Sequence, residues 1–134
     1  MNKVLITGSC GLVGSDSVRF FSDKFDQIIG IDNDLRKYFF GKDGSTNWNL
    51  RLLKEQYKNY THYSADIRDE KVIKEIFQKY NSDISLIIHA ASQPSHDWAS
   101  KEPKTDFSIN ANGTLIILEM MRKYCPKATF IFVS

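Results

Sequence analysis

The sequence predicts an α/β domain on a doubly wound parallel sheet of five strands, in the order 3-2-1-4-5. Three observations carry that expectation. Short runs rich in Val, Ile and Phe alternate with longer stretches of helical period. A parallel neighbour needs such a crossover, and right-handed crossovers lay helices on both faces. Glycines 8, 11 and 14 fall directly between the first apolar run and the first helical stretch. The composition is that of a folded domain: 134 residues, 42% hydrophobic and 25% charged. A chain of that size buries a single core.

Residues 3–7 (KVLIT) form the first strand, unbroken in its apolar character as a doubly covered strand requires. Residues 11–24 follow as a helix, with Gly14, Val18, Phe21 and Phe25 on one continuous stripe. The second strand is 27–31 (QIIGI). The polar, glycine-bearing stretch 32–49 reads as a loop with a short helical piece, and 50–59 as helical. Residues 60–64 make a third strand. Asp69 is placed to cap a helix running through Tyr80, whose Val72, Ile73, Ile76, Phe77 and Tyr80 share a face. The fourth strand is 85–89 (SLIIH). Pro103 opens a long helix to about Tyr124, which Pro126 helps to end. Residues 129–134 (TFIFVS) are the fifth strand. With no repeat or linker in view, 1–134 reads as one domain.

Charge and cysteine usage exclude several classes of function. Lys+Arg 18 against Asp+Glu 16 leaves +2, spread without a basic block, so nucleic acid is not an expected partner. The longest apolar runs are about four residues, far below a membrane span, and the opening MNKVLITG is no signal peptide. Cys10 and Cys125 form no CxxC pair and three histidines lie scattered, so no metal site is expected and a reducing cytoplasm fits.

The chemistry-bearing segment is Thr7-Gly8-Ser9-Cys10-Gly11-Leu12-Val13-Gly14. Gly8 permits a tight turn out of the strand, Gly11 lets backbone approach a pyrophosphate, and Gly14 lets the helix sit close to the sheet. Free N–H groups and the helix dipole then face negative charge. No Lys-Ser or Lys-Thr follows, which disfavours a nucleoside triphosphate loop. The plain alternative is a structural glycine turn. Asp32 stands at the end of the second strand, 18 residues after Gly14. A carboxylate there accepts from adenosine ribose hydroxyls and repels a 2′-phosphate, favouring NAD over NADP. Arg36 and Lys37 keep NADP open. An S-adenosylmethionine site also places an acid after its second strand, but the glycine spacing disfavours it.

Asp66 and Ile67 would lie beside an adenine, with helix capping as the other use for Asp66. His89, on an apolar strand, reads as a hydrogen-bonded core histidine, and Ala90 and Ala91 after it leave room for a cofactor. Ser92, Gln93, Ser95 and His96 are candidates to line a sugar or phosphate pocket, with a solvated role preferred for His96 over that of a base.

Taken together, TGSCGLVGS (7–15), GIDND (30–34), ADIRD (65–69), HAASQPSHDWA (89–99), NANGTL (110–115) and FIFVS (130–134) resemble the extended short-chain dehydrogenase/reductases. Within these they resemble the NAD-dependent epimerase/dehydratase family acting on nucleotide sugars. HAASQPSHDWA and YFFGKDGSTNW (38–48) look closest to its CDP-paratose/CDP-tyvelose 2-epimerase-like branch. The resemblance implies a Rossmann domain in which Gly8, Gly11, Leu12 and Val13 cover the pyrophosphate and Asp32 and Asn33 hold the ribose. Asp66 and Ile67 would flank the adenine, and Ala90, Ala91 and Gln93 would run toward the nicotinamide. Asn110 would tie the long helix to the loop after the fourth strand. It also implies transient oxidation of a sugar by NAD, and a homo-oligomer formed through the helix around 105–123, where Leu115 to Met121 are apolar nearly all round.

The family's Tyr-x-x-x-Lys pair belongs on a helix after the fifth strand. The expectation is therefore the incomplete NAD-binding part of an epimerase or dehydratase, truncated before that helix, with no catalytic residue assigned. A non-enzymatic nucleotide-binding or assembly module is the alternative. Tyr38-Phe39-Phe40-Gly41-Lys42 spells the same spacing by coincidence, since it follows the second strand and Gly41 weakens a helix there.

Overall fold

Five short strands alternate with helices, and all five run in the same direction. A computed structural model describes residues 1–134. Its strands are β1 (Lys3–Thr7), β2 (Gln27–Asp32), β3 (Tyr60–Ser64), β4 (Ile84–His89) and β5 (Thr129–Phe132). They pair in parallel in the order β3-β2-β1-β4-β5. β1 is central and buried at every position, as its unbroken apolar run requires. The chain builds outward to β3, then returns past β1 to β4, and this reversal leaves a crevice at the C-terminal ends of β1 and β4. The register sets Thr7 level with both Ile31 and His89.

Alternate residues of β1 feed two cores. Val4 and Ile6 join Val18, Ile28 and Leu53 under α1 (Leu12–Phe21) and α3 (Asn47–Gln56). Leu5 joins Ile29, Ile73, Phe77 and Ile117 under α4 (Glu70–Tyr80) and α7 (Gly113–Tyr124). Gly14 and Val18 face the sheet, and Phe21 and Phe25 complete the stripe, although α1 itself stops at Phe21. Asp69 caps α4 by accepting from Val72 N at 3.4 Å.

Three stretches differ from expectation. The polar segment after β2 holds α2 (Leu35–Phe40) and a 3₁₀ turn at Lys42–Gly44, and α3 starts at Asn47 rather than 50. Residues expected as a loop after β4 form α5 (His96–Lys101), nucleated by Ser95, whose hydroxyl accepts from Trp98 N at 3.3 Å. The long helix from Pro103 divides into α6 (Pro103–Phe107), a π turn at Ser108–Asn112, and α7. The extra residue of that turn falls where Asn110 Oδ1 accepts from Gln93 N, outside the helix, at 2.9 Å. Finally, α7 is not covered all round. Ile117 and Met120 are buried, but Leu115 is 56% and Leu118 40% exposed, and Ile131 and Phe132 of β5 are open to solvent.

Candidate functional site

The bend after β1 is shaped by what its glycines exclude. Gly8 leaves the strand with φ +66° and donates its N–H to Ile31 O at 2.7 Å. A Cβ on Gly8 would lie 2.8 Å from Ala91 N, so the bend nests on the exit of β4. A Cβ on Gly14 would lie 1.9 Å from Gly8 O, so only glycine lets α1 rest against the bend. Gly11 differs: a Cβ there meets nothing closer than Gly8 O at 3.4 Å, and its free side is the crevice. The first bond of α1 runs from Ser15 N to Gly11 O at 2.9 Å. The N–H groups of Leu12, Val13 and Gly14 therefore have no carbonyl partner within the helix.

The bend is braced from outside the crevice. Asn49 Nδ2 donates to Cys10 O at 2.9 Å and is itself oriented by Arg19 Nη2 on Asn49 Oδ1 at 2.8 Å. The Tyr60 hydroxyl meets Ser9 Oγ at 2.9 Å. Burial, and then the charge of Asp32, push the Cys10 thiol up to about 11, which favours the protonated form of this packed side chain. None of these braces was visible from sequence, since the partners lie 39 and 51 residues apart and no local spacing marks them.

Asp32 ends β2 facing the same crevice. Its Oδ2 accepts from Cys10 N at 3.0 Å and its Oδ1 from Asp34 N at 2.8 Å. Burial raises its pKa above the usual carboxylate range, against the pull of these two donors, and the Asp34 charge adds to the rise. Each carboxylate oxygen thus has one backbone donor and a further lone pair to offer. Asn33 Oδ1 accepts from Leu35 N at 3.2 Å and so starts α2. Asp66 is also at the crevice. Burial pushes its pKa up, but Arg68 outweighs this with a fork of bonds, Nη2 to Oδ2 at 2.6 Å and Nε to Oδ1 at 3.0 Å, and holds it below the ordinary range. Ile67 beside it is buried at 6% exposure.

At the end of β4 the hydrogen-bond chain has one consistent direction. Thr114 gives its hydroxyl proton to Asn110 O at 2.6 Å, so it accepts from His89 Nε2–H at 3.0 Å. Nδ1 then accepts from the Thr7 hydroxyl at 2.7 Å, and Thr7 Oγ1 accepts from Ala91 N at 3.1 Å. His89 is a neutral strut locking β1, β4 and α7, and burial lowers its pKa to about 4. Gln93 N donates to Asn110 Oδ1 at 2.9 Å, which is the tie between loop and long helix. The Gln93 side chain turns inward, donating to Asp106 Oδ1 at 2.8 Å and to Ser95 O at 2.9 Å. His96 is exposed at the start of α5.

These elements enclose one cleft of about 340 Å³, within the size range of small-molecule sites. Gly8, Gly11, Leu12 and Val13 line one side, Asp32, Asn33, Asp66 and Ile67 the next, and Ala90 and Ala91 the far end. Gln93 and Asn110 do not line it and stand one layer behind. Leu35, Thr46, Pro94 and Ile109 line it without having been singled out from sequence. Glycine-cleared space, free amides and a carboxylate with spare acceptor capacity along one cleft fit an extended ligand with a diphosphate and vicinal hydroxyls. Tyr38 and Lys42 do not pair. Gly41, at φ +76°, ends α2 between them, and Glu102 beside the Tyr38 hydroxyl raises the phenol's pKa, the reverse of activation. No cluster of three or more His, Cys, Asp or Glu is placed to hold a metal ion, and no helix is long and apolar enough to cross a membrane.

The profile described as "NAD dependent epimerase/dehydratase family" matches residues 4–134. The CDP-paratose 2-epimerase of Salmonella typhi is 32% identical over 132 residues, covering 98% of this chain and 36% of that protein. The crystal structure of a UDP-glucose 4-epimerase from Thermotoga maritima, solved with UDP-glucose, superposes with a TM-score of 0.76 at 27% identity, over 97% of this chain and 37% of the other. A UDP-glucose 4-epimerase from Bifidobacterium longum, solved with NAD+ and UDP, reaches 0.80 at 24% identity over 99% of this chain and 37% of its own, a likeness of fold. The chain thus spans little more than a third of the length of the proteins it matches.

Proposed function

We propose that this chain, which belongs to the NAD dependent epimerase/dehydratase family, is the cofactor-holding part of a nucleotide-sugar epimerase or dehydratase. Residues 1–134 form its NAD-binding domain, and the strands and domain that hold the sugar lie outside them. The observation that carries this reading is that the free amides after Gly11 and the Asp32 carboxylate, itself bonded to Cys10 N of the same bend, line one cleft.

Each residue has a place in the proposal. Gly8 and Gly11 clear the approach, and the N–H groups of Leu12 and Val13 donate to the pyrophosphate. Asp32 accepts from the ribose hydroxyls of the adenosine, and Asn33 shapes that pocket. Asp66 and Ile67 flank the adenine. Ala90 and Ala91 present backbone along the path to the nicotinamide, and Gln93 and Asn110 hold that path in shape from behind. Bound NAD supplies reversible acceptance of a hydride from a sugar carbon. The chain is not catalytic by itself on this reading, because its one Tyr-x-x-x-Lys spacing is split by Gly41. The two buried free cysteines suit a reducing cytoplasm. The exposed Phe107, Leu115 and Leu118 offer the surface for a second copy.

Calorimetric titration with NAD, NADP and S-adenosylmethionine tests the reading. NAD binding, with NADP weaker, is the expected result, and binding of S-adenosylmethionine alone would refute it. The unpaired Tyr38 and Lys42 equally suit a non-enzymatic nucleotide-binding module. Turnover on addition of a downstream epimerase polypeptide separates the two.

A further inference from the structure

Two walls of the cleft come from opposite sides of β1. Leu35 and Arg36 open α2 behind β2, while Ser92 and Pro94 lead from β4 toward α5. β2 and β4 flank β1, about 10 Å apart at two strand spacings. Beyond the cleft these walls are joined. Trp98 Nε1–H, on α5, donates to Phe39 O of α2 at 2.8 Å. The Trp98 ring lies 5.4 Å from that of Tyr38 and 5.7 Å from that of Phe39. The Tyr38 hydroxyl donates to the Glu102 carboxylate at 3.3 Å. Phe39 is buried in the larger core, whereas Tyr38 is 56% exposed. None of the three aromatic residues lines the cleft itself.

The contact closes a ring of polypeptide: β2, α2, α5 and β4, with β1 between the strands. A ligand reaching from Asp32 to Ala91 lies between the glycine bend and this aromatic clasp. On that reading a dinucleotide is longer than the roughly 10 Å between β2 and β4, so it leaves by threading lengthwise or by the ring opening. Hinges for opening flank the α2 arm. Asp34 adopts φ +56° and holds Ser45 Oγ at 2.6 Å and Thr46 N at 2.8 Å, and Gly41 adopts φ +76°. The arm that would swing is thus bounded by two left-handed residues and fastened at its tip by the Trp98–Phe39 and Tyr38–Glu102 hydrogen bonds, by ring contacts and by the seating of Phe39 in the core.

We infer that the Tyr38–Phe39–Trp98 clasp must part for the dinucleotide to enter or leave, making Trp98 and Tyr38 positioning residues that set its exchange rate. This rests on the reading of the cleft as an NAD site. A lost binding contact raises the release rate alone, whereas a loosened gate raises association and release together.

NADH fluorescence in stopped flow, with release chased by excess NAD, measures both rates on the full chain. Trp98→Phe keeps the ring and removes the donor, and Tyr38→Ala removes an exposed ring. Each is expected to raise both rates about fivefold, the worth of one hydrogen bond or aromatic contact, with Kd held within about twofold. Unchanged rates, or faster release at an unchanged association rate, overturn the inference. Should Trp98→Phe fail to fold, Tyr38→Ala decides alone. Wild-type chain that binds no NADH overturns the cleft reading and this inference together. Wild-type binding with unmoved variant rates overturns only the clasp.

Discussion

Gly11 and Gly14 stand three residues apart on one bend, and alanine at the two positions is expected to do opposite things. At Gly14 the new methyl would sit 1.9 Å from Gly8 O, a backbone atom that cannot swing aside. More than an ångström must open between α1 and the bend. Overpacking costs about 1–3 kcal/mol, and a clash with backbone belongs at the top of that range. With about 4 °C of melting temperature per kcal/mol for a chain of this size, Gly14→Ala should melt about 12 °C lower. At Gly11 the nearest atom is 3.4 Å away, and φ −75° with ψ −179° is extended backbone that alanine adopts freely. The entropy gain in the unfolded chain and the poorer helix cap nearly cancel, leaving stability within about 1 kcal/mol of wild type. Its methyl instead fills the approach to the free amides. Losing one charge-assisted hydrogen bond of about 1.5–3 kcal/mol weakens NAD binding about tenfold to a hundredfold. Thermal melts and calorimetric titration of both variants give the readout. Gly11→Ala binding NAD as wild type does, or Gly14→Ala melting unchanged, would refute the reasoning.

Other outcomes follow from the same geometry. In its proposed role Asp32 accepts from two ribose hydroxyls best as a carboxylate, and burial raises its pKa, so NAD affinity should fall on acidification. Asp32→Asn should lose about tenfold in affinity together with that pH dependence, and an unaltered pH profile in the variant contradicts the role. His89 titrates near 4 in the folded chain against 6.5 in the unfolded one. The unfolded state therefore binds the proton first, and stability present above pH 6.5 should fall by about 3 kcal/mol as pH drops to 4. An NMR titration placing the native His89 imidazole near 6.5 contradicts the strut. Sedimentation should show self-association that weakens when Leu115 and Leu118 are made polar, and a concentration-independent monomer contradicts that surface.

Legibility in the sequence followed the range of the interactions. β1, β3 and the cap at Asp69 were readable because an unbroken apolar run, a short strand between polar turns and a carboxylate before an amphipathic helix are local signals. The strand order was readable because crossover handedness leaves few alternatives. α5 was not, since six residues carry too little period and its Ser95 cap sits in a polar stretch. The π turn at Ser108–Asn112 was hidden because its Asn110 is held by Gln93 N, which only the fold brings near. In the cleft, the glycines and Asp32 announced themselves by spacing along one βαβ unit. The inward turn of Gln93 depends on Asp106, 13 residues away, and the clasp joins Trp98 to Phe39 across 59 residues.

Amide chemical shifts of the ¹⁵N-labelled chain, followed as NAD is added, test the central claim most directly. The account predicts that the largest movements fall on Leu12, Val13 and Gly14 at the start of α1 and on the amides around Asp32, saturating together. Shifts scattered elsewhere, or a bend whose amides stay still while NAD binds, would contradict it.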